Sequence, residues 1–216
     1  RDFCLSRGLG DVYKRQKKYS SIMDKISYAL GLSIGNNFRA SGIKGLEIDD
    51  FIKGINDVFN EAKPAVAFDE AQRLLQEYFK NLQAEKFEMN KQVGEEFLRI
   101  NKEKRGVVTL PSGMQYEVLK TGEGPKPGLN DKVRCHYHGT LIDGRVFDSS
   151  VQRGQPAVFG VSQVIAGWTE ALQLMNVGSK WRLFIPSEMA YGAHGAGEAI
   201  EPNMTLIFDV ELLGIE

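Results

Sequence analysis

Val133-Arg-Cys-His-Tyr-His-Gly-Thr-Leu-Ile-Asp-Gly-Arg-Val-Phe-Asp-Ser-Ser150 is the stretch whose reading decides the fold. Val133, Cys135 and Tyr137 fall on one side and Arg134, His136 and His138 on the other, the two-residue period of a strand with one buried face over residues 132–141. Asp143-Gly144 is a hairpin-turn signal that sends the chain back through Arg145-Val146-Phe147. Upstream, residues 114–119 read as another strand, followed by Thr121-Gly-Glu-Gly-Pro-Lys-Pro-Gly128, whose glycines and prolines force a loop. Downstream, residues 164–175 read as a short helix, 180–185 as a strand and 205–213 as a last strand. One helix against an antiparallel sheet is an α+β layout.

Before Gly106 the period is different. From Asp24 to about Arg105 the apolar residues recur every three or four positions, as on helices with one buried face. Ile26, Leu30, Ile34 and Phe38 mark a first helix ended by Ser41-Gly42. Phe51, Ile52, Ile55, Val58 and Phe59 mark a second, capped by Asp49 or Asp50 and stopped near Pro64. A third starts at Asp69 as cap, with Gln72 reaching back in a capping box. Its stripe runs Ala71, Leu75, Tyr78, Leu82, Met89, Val93, Phe97 and Ile100 with no proline before Pro111, which predicts a helix over 69–104. The expected division is an extension over 1–22, foreign or disordered with Met23 as a natural start, a helical domain over 23–105, and an α+β domain over 106–216. So few helical residues cannot bury these stripes alone. Pairing with a second copy is the simplest remedy, since a twofold interface hides the same patch on both chains; folding back on the C-terminal half is the alternative.

Composition excludes several function classes. The 216 residues carry a formal net charge of -1, with Lys and Arg dispersed among Asp and Glu, so the electrostatic attraction that drives nucleic-acid binding is weak. No stretch approaches the roughly 20 apolar residues of a membrane span, and residues 1–16 lack the apolar core of a secretory signal. Cys4 and Cys135 support neither a disulfide framework nor a cysteine-based metal site. A start at Met23 leaves a cytoplasmic protein, and a signal replaced by the present terminus leaves a periplasmic one.

Ser149, Ser150, His136, His138 and Asp148 are the residue types of a hydrolase, but no Gly-x-Ser-x-Gly elbow is present, and nothing brings nucleophile, base and orienter together. His136 and His138 share a strand face as half a metal site would, without a third ligand; no metal and no cofactor is expected. The rings are the stronger signal. Tyr137, Phe147, Phe159, Trp168, Tyr191 and Phe208 come from separate elements and can converge over the sheet. Asp148 and the Tyr191 hydroxyl, which a sealed core tolerates only when hydrogen-bonded, suit the few polar tips of an otherwise apolar ligand pocket.

Tyr137-His138-Gly139, Val146-Phe147-Asp148-Ser149-Ser150, Val164-Ile165-Ala166-Gly167-Trp168, Met175-Asn176-Val177-Gly178, Ala190-Tyr191-Gly192 and Phe208-Asp209-Val210-Glu211-Leu212-Leu213 resemble, in the same order, the FKBP-type peptidyl-prolyl cis-trans isomerases. The match covers about residues 107–216. The helical half, beginning Ser27-Tyr28-Ala29-Leu30-Gly31, is similar to the dimerisation module of the macrophage infectivity potentiator-like bacterial branch. The resemblance implies an isomerase of X–Pro bonds acting on unfolded or partly folded proteins, a homodimer through residues 23–105, chaperone-like client binding, and binding of macrolide inhibitors. It puts Trp168 at a pocket floor, with Tyr137, Phe147, Phe159, Val164, Ile165, Tyr191 and Phe208 in the walls and Ile200 as a further substrate contact. Asp148 and the Ile165 backbone are the implied polar contacts, and Tyr191 the donor to bound peptide. The chain departs from the family at Ala157, where an aromatic is common, and in the loop carrying Glu198-Ala199-Ile200. A non-catalytic chaperone or scaffold for proline-containing segments is the alternative function.

Overall fold

The computed structural model of the chain describes residues 24–216, so the extension over 1–22 and the start at Met23 lie outside the described residues. Packing groups the chain into two units, one up to Tyr78 and one from Phe79 to Glu216. The change of sequence period at Gly106 is thus not where packing divides the chain.

In the first unit, α1 (Lys25–Ala40) opens on Asp24, whose carboxylate accepts the N–H groups of Ile26 and Ser27 at 3.1 and 3.4 Å. These are donors the helix cannot satisfy itself. α2 spans Ile48–Phe59 and α3 begins at Phe68, running 34 residues to Asn101. Both starts correct the capping read from sequence. Glu47 precedes α2 without a side-chain cap, and Asp49 and Asp50, like Asp69 in α3, lie inside the first turn. There they favour the helix through its dipole. The expected Asp69 cap fails because Phe68 already carries helical backbone. α1 and α2 bury no residue. Phe38 and Phe51 meet edge to face at 5.5 Å, but Ile26, Leu30, Val58 and Phe59 are 60–83% exposed, so the described residues leave the apolar stripes uncovered.

The second unit holds the sheet: β1 (Val107–Thr109), β2 (Gln115–Lys120), β3 (Lys132–Leu141), β4 (Val146–Ser149), β5 (Ala157–Gly160), β6 (Lys180–Ile185) and β7 (Leu206–Ile215). All pairs are antiparallel, in the order β1-β2-β6-β7-β3-β4, with β5 also on β3. β1 and β5 were not legible in the sequence; three or four residues are too few to show a period. α4 (Ala166–Leu174) packs on the sheet through Trp168, Ala171 and Leu172. The expected helix over 164–175 is shortened at its start, and the difference matters: Val164 and Ile165 are extended backbone ahead of the helix. The alternation read in β3 holds, with Val133, Cys135, Tyr137 and Leu141 buried. β7 answers with Leu206, Phe208, Val210 and Leu212. Burying each such side chain fully contributes about 1.5–3 kcal/mol.

Candidate active site

β3 supplies the centre of the site. Tyr137 points to the core face, and two positions on, Gly139 leaves room above the strand that a side chain would close. A Cβ there would stand 2.6 Å from the tip of the Phe147 ring and 2.9 Å from Phe208. The neighbouring hairpin strand uses that room. Gly139 pairs with Asp148 and Thr140 with Val146, so Phe147 is the extra residue of a bulge. A bulge re-aims side chains, and here it lets two consecutive residues, Phe147 and Asp148, serve one hollow.

Trp168 sits at the start of α4, 4% exposed, with the rings of Tyr137, Phe159 and Phe208 standing edge-on around it at 5.5, 5.6 and 5.3 Å. Phe147 meets Phe208 edge to face at 5.3 Å. Such edge contacts are favourable between aromatic quadrupoles. They frame a cavity of about 790 Å³, lined also by Val164, Ile165, Tyr191 and Ile200. All ten residues singled out in the sequence therefore border the same hollow. Ala157 on β5, by contrast, pairs with Cys135 of β3 and does not line it. The Trp168 indole N–H is buried without a partner, and the Tyr191 hydroxyl, on a side chain 39% exposed at the rim, makes no hydrogen bond among the described residues. The Ile165 carbonyl accepts from the N–H groups of Trp168 and Thr169 at 2.9 and 3.1 Å, so its own N–H is the backbone group left for a bound chain.

Asp148 is not a free carboxylate. Tyr137 donates its hydroxyl to one oxygen at 2.5 Å, Arg153 donates to the other, and Arg153 also donates to the Tyr137 hydroxyl at 2.8 Å. Partial burial alone would raise the Asp148 carboxyl, but the hydrogen bonds from Tyr137 and Arg153 outweigh it and hold it below the usual carboxylate range. Burial, helped by the Asp148 hydrogen bond, pushes the Tyr137 phenol up against the opposing effect of Arg153. Arg153 was missed in the sequence. It lies five residues past Asp148 in a run of turns, where no period links a side chain to its partner. The rim residues Gln163, Ala196, Gly197, Glu198 and Ala199 were likewise not singled out as contacts.

Of the residue types of a hydrolase, serine and histidine meet in pairs but the Asp148 carboxylate joins neither. Asp148 faces the hollow, while Ser149 hydrogen-bonds His138 at 2.9 Å and Ser150 hydrogen-bonds His136 at 3.0 Å from the opposite face of β3. Among the described residues, no group of three His, Cys, Asp or Glu side chains is placed to hold a metal ion, and no helix is long and apolar enough to cross a membrane.

A twisted antiparallel sheet on one short helix, enclosing a ring-lined hollow whose carboxylate is already tied up, defines a protein that works by shaped apolar binding. Comparison with known proteins gives that class its family. The family model for the FKBP-type peptidyl-prolyl cis-trans isomerase matches residues 123–213, and that for the domain amino terminal to FKBP-type peptidyl-prolyl isomerase matches residues 23–118. The FKBP-type 22 kDa peptidyl-prolyl cis-trans isomerase of Escherichia coli is 46% identical over 200 residues, covering 91% of this chain and 97% of that protein. The outer membrane protein MIP of Legionella longbeachae is 45% identical over 89% of this chain and 85% of its own. The crystal structure of FkpA from Escherichia coli aligns with a TM-score of 0.70 at 38% identity, covering 89% of this chain and 95% of that one. The chain belongs to the FKBP-type peptidyl-prolyl cis-trans isomerases, and its activity is isomerisation of X–Pro peptide bonds.

Proposed function

We propose that the hollow around Trp168 is where the X–Pro bond turns, and that it acts by binding the twisted bond better than the planar one. The barrier of about 20 kcal/mol comes from amide resonance. When the bond twists, the carbonyl oxygen loses negative charge and the nitrogen becomes pyramidal. An apolar hollow disfavours the planar, more dipolar form relative to the twisted one, and each 1.4 kcal/mol of that difference is tenfold in rate. Proline rests over Trp168 between the rings of Tyr137, Phe147, Phe159 and Phe208, and Tyr191 and the Ile165 N–H hold the neighbouring backbone. The observation that carries this reading is the convergence of ten ring, aliphatic and polar residues on one cavity of about 790 Å³. Its size and lining also suit a macrolide inhibitor competing with the peptide.

Because Asp148 and Tyr137 are held in a closed set of hydrogen bonds, the reaction needs no proton transfer and should be flat with pH. The lowered Asp148 contributes stability above its unfolded value of about 3.9, lost as pH falls through the folded value; the raised Tyr137 contributes below about 10, lost as pH rises through its folded value. Isomerisation of a short proline peptide is expected to hold a constant kcat/KM between about pH 5 and 9, inside both limits. A bell-shaped profile centred near neutrality would refute a mechanism without an acid or base.

The helical unit points to a second role. Apolar stripes on α1 and α2 that none of the described residues covers support a homodimer through residues 23–105 that clasps unfolded or partly folded clients. Light scattering on the full chain is expected to give twice 24.1 kDa. Phe59→Asp should lower that mass and slow proline-limited refolding of a protein while short peptides are still turned over. A monomeric mass for the unsubstituted chain, or equal loss on both substrates, overturns the client-binding role.

A further inference from the structure

Ile200, a wall of the hollow, is followed at once by Glu201-Pro202-Asn203, and this segment is fastened to α3. From Phe79 onward that helix belongs to the same compact unit as the sheet. Lys86 pairs with one Glu201 oxygen at 2.6 Å. The Asn90 side chain donates to the other Glu201 oxygen at 3.4 Å and to the Pro202 carbonyl at 3.1 Å. Asn203, in left-handed backbone at φ 62°, donates back to the Phe87 carbonyl at 3.3 Å. Lys86, Asn90 and Gly94 are spaced by four and so share one helix face. At Gly94 the helix comes so close that a Cβ would meet the Thr205 hydroxyl at 2.4 Å. The loop also clasps itself, Ala196 and Ile200 exchanging N–H···O bonds at 2.7 and 3.2 Å.

Two anchors therefore set Ile200: the clasp within the loop and the contact with α3 at its base. The α3 anchor is more than a solvated ion pair. Lys86 is 61% exposed and its pairing with Glu201 is worth little by itself. Asn90 is half-buried and bridges a carboxylate and a main-chain carbonyl with one amide. Burial would raise the Glu201 carboxyl, but the bonds from Lys86 and Asn90 outweigh it and hold it low.

We infer that Asn90, assisted by Lys86, is a positioning residue for the isomerase site: from α3 it fixes Glu201 and Pro202, and through them the Ile200 wall and the Gly197–Ala199 rim that meet the residues flanking proline. The inference rests on the assignment of the hollow as the peptide site. It makes the pocket's grip depend on a helix that touches neither the proline nor the twisting bond. Released, the wall loosens peptide binding, while the rings that favour the twisted bond stay in place.

The test uses the full chain with Asn90→Leu, which keeps the bulk and removes the amide, and Asn90→Gln, which keeps an amide. Asp148→Ala serves as control. For short X–Pro peptides, Asn90→Leu is expected to raise KM about fivefold, the factor one net hydrogen bond is worth, with kcat within about twofold. Asn90→Gln should recover part of the loss. Glu201→Gln, which keeps the shape, provides a second route to the same KM increase. Amide exchange at Ile200 should quicken by a similar factor in Asn90→Leu while the strands keep their protection. An unchanged KM, or KM and kcat falling off together with general loss of protection, overturns the inference. If Asp148→Ala slows turnover while Asn90→Leu leaves KM alone, only the positioning role fails; if Asp148→Ala is also without effect, the site itself is misplaced and the inference falls with it.

Discussion

Replacing Phe147 and Asp148 together by alanine is expected to lower kcat/KM for a short X–Pro peptide by about a hundredfold, a loss of roughly 2.7 kcal/mol of transition-state stabilisation. Phe147 is the bulged residue whose ring stands against Phe208 over Gly139, so its removal opens the side of the hollow to water. An apolar medium is what separates the planar from the twisted amide, and water in the cavity erases that difference. Asp148 fixes Tyr137 and Arg153 at once. Without it the Tyr137 hydroxyl, in a side chain only 7% exposed, faces Arg153 alone and the ring loses its orientation. Asp148→Ala or Tyr191→Phe alone should slow turnover less, because each leaves the Phe147 ring closing the side of the hollow. A peptide assay on protein whose melting shows an intact fold separates the effect from unfolding; wild-type rates in the double variant would sink the site.

The second large effect concerns stability. Gly122→Ala is expected to cost about 3 kcal/mol, at the upper end for forcing an extra methyl into a packed region. The added Cβ would lie 2.3 Å from the Val177 carbonyl oxygen, 2.4 Å from the Ser179 nitrogen and 2.6 Å from the Gly178 carbonyl carbon. These are all backbone atoms, so no rotamer change relieves the clash. Nor can the turn retreat. Asn176 donates to the Gly124 carbonyl at 2.7 Å, Gly124 to Val177 at 3.1 Å, and Gly178 to Leu212 on β7 at 2.8 Å. A fall in melting midpoint of about 10 °C is expected for a chain of this size, with activity per folded molecule retained because the turn lies away from the hollow. An unchanged midpoint would mean that the 121–128 loop does not pack on this turn.

Much of the site was legible because its rings belong to strands with a clear period. Tyr137 and Phe208 lie on the buried faces of β3 and β7, and alternation alone assigns them there. Phe147 and Asp148 are different. Neighbours in a regular strand point to opposite faces, so alternation would put one of them outside; only the register against β3 reveals the bulge that brings both in. Arg153 gave no signal because turn geometry, which no spacing encodes, carries it back to Asp148. The α3 anchor was equally hidden. Lys86 and Asn90 read as polar positions beside an apolar stripe, and nothing local shows that Glu201, more than a hundred residues on, comes to meet them.

Period and turn chemistry, read along the chain, were enough for the change from helices to antiparallel strands near Gly106, the faces of the long strands and the set of rings that gather. Those are local properties, fixed by side-chain spacing against 3.6 or 2 residues per repeat. The bulge at Phe147, the extended backbone at Val164 and Ile165, the Tyr137–Asp148–Arg153 hydrogen bonds and the hold of α3 on the Ile200 loop were decided by the tertiary structure. Each depends on hydrogen-bond register or packing between segments far apart in sequence, and such pairings minimise the energy of the whole unit rather than of any one stretch.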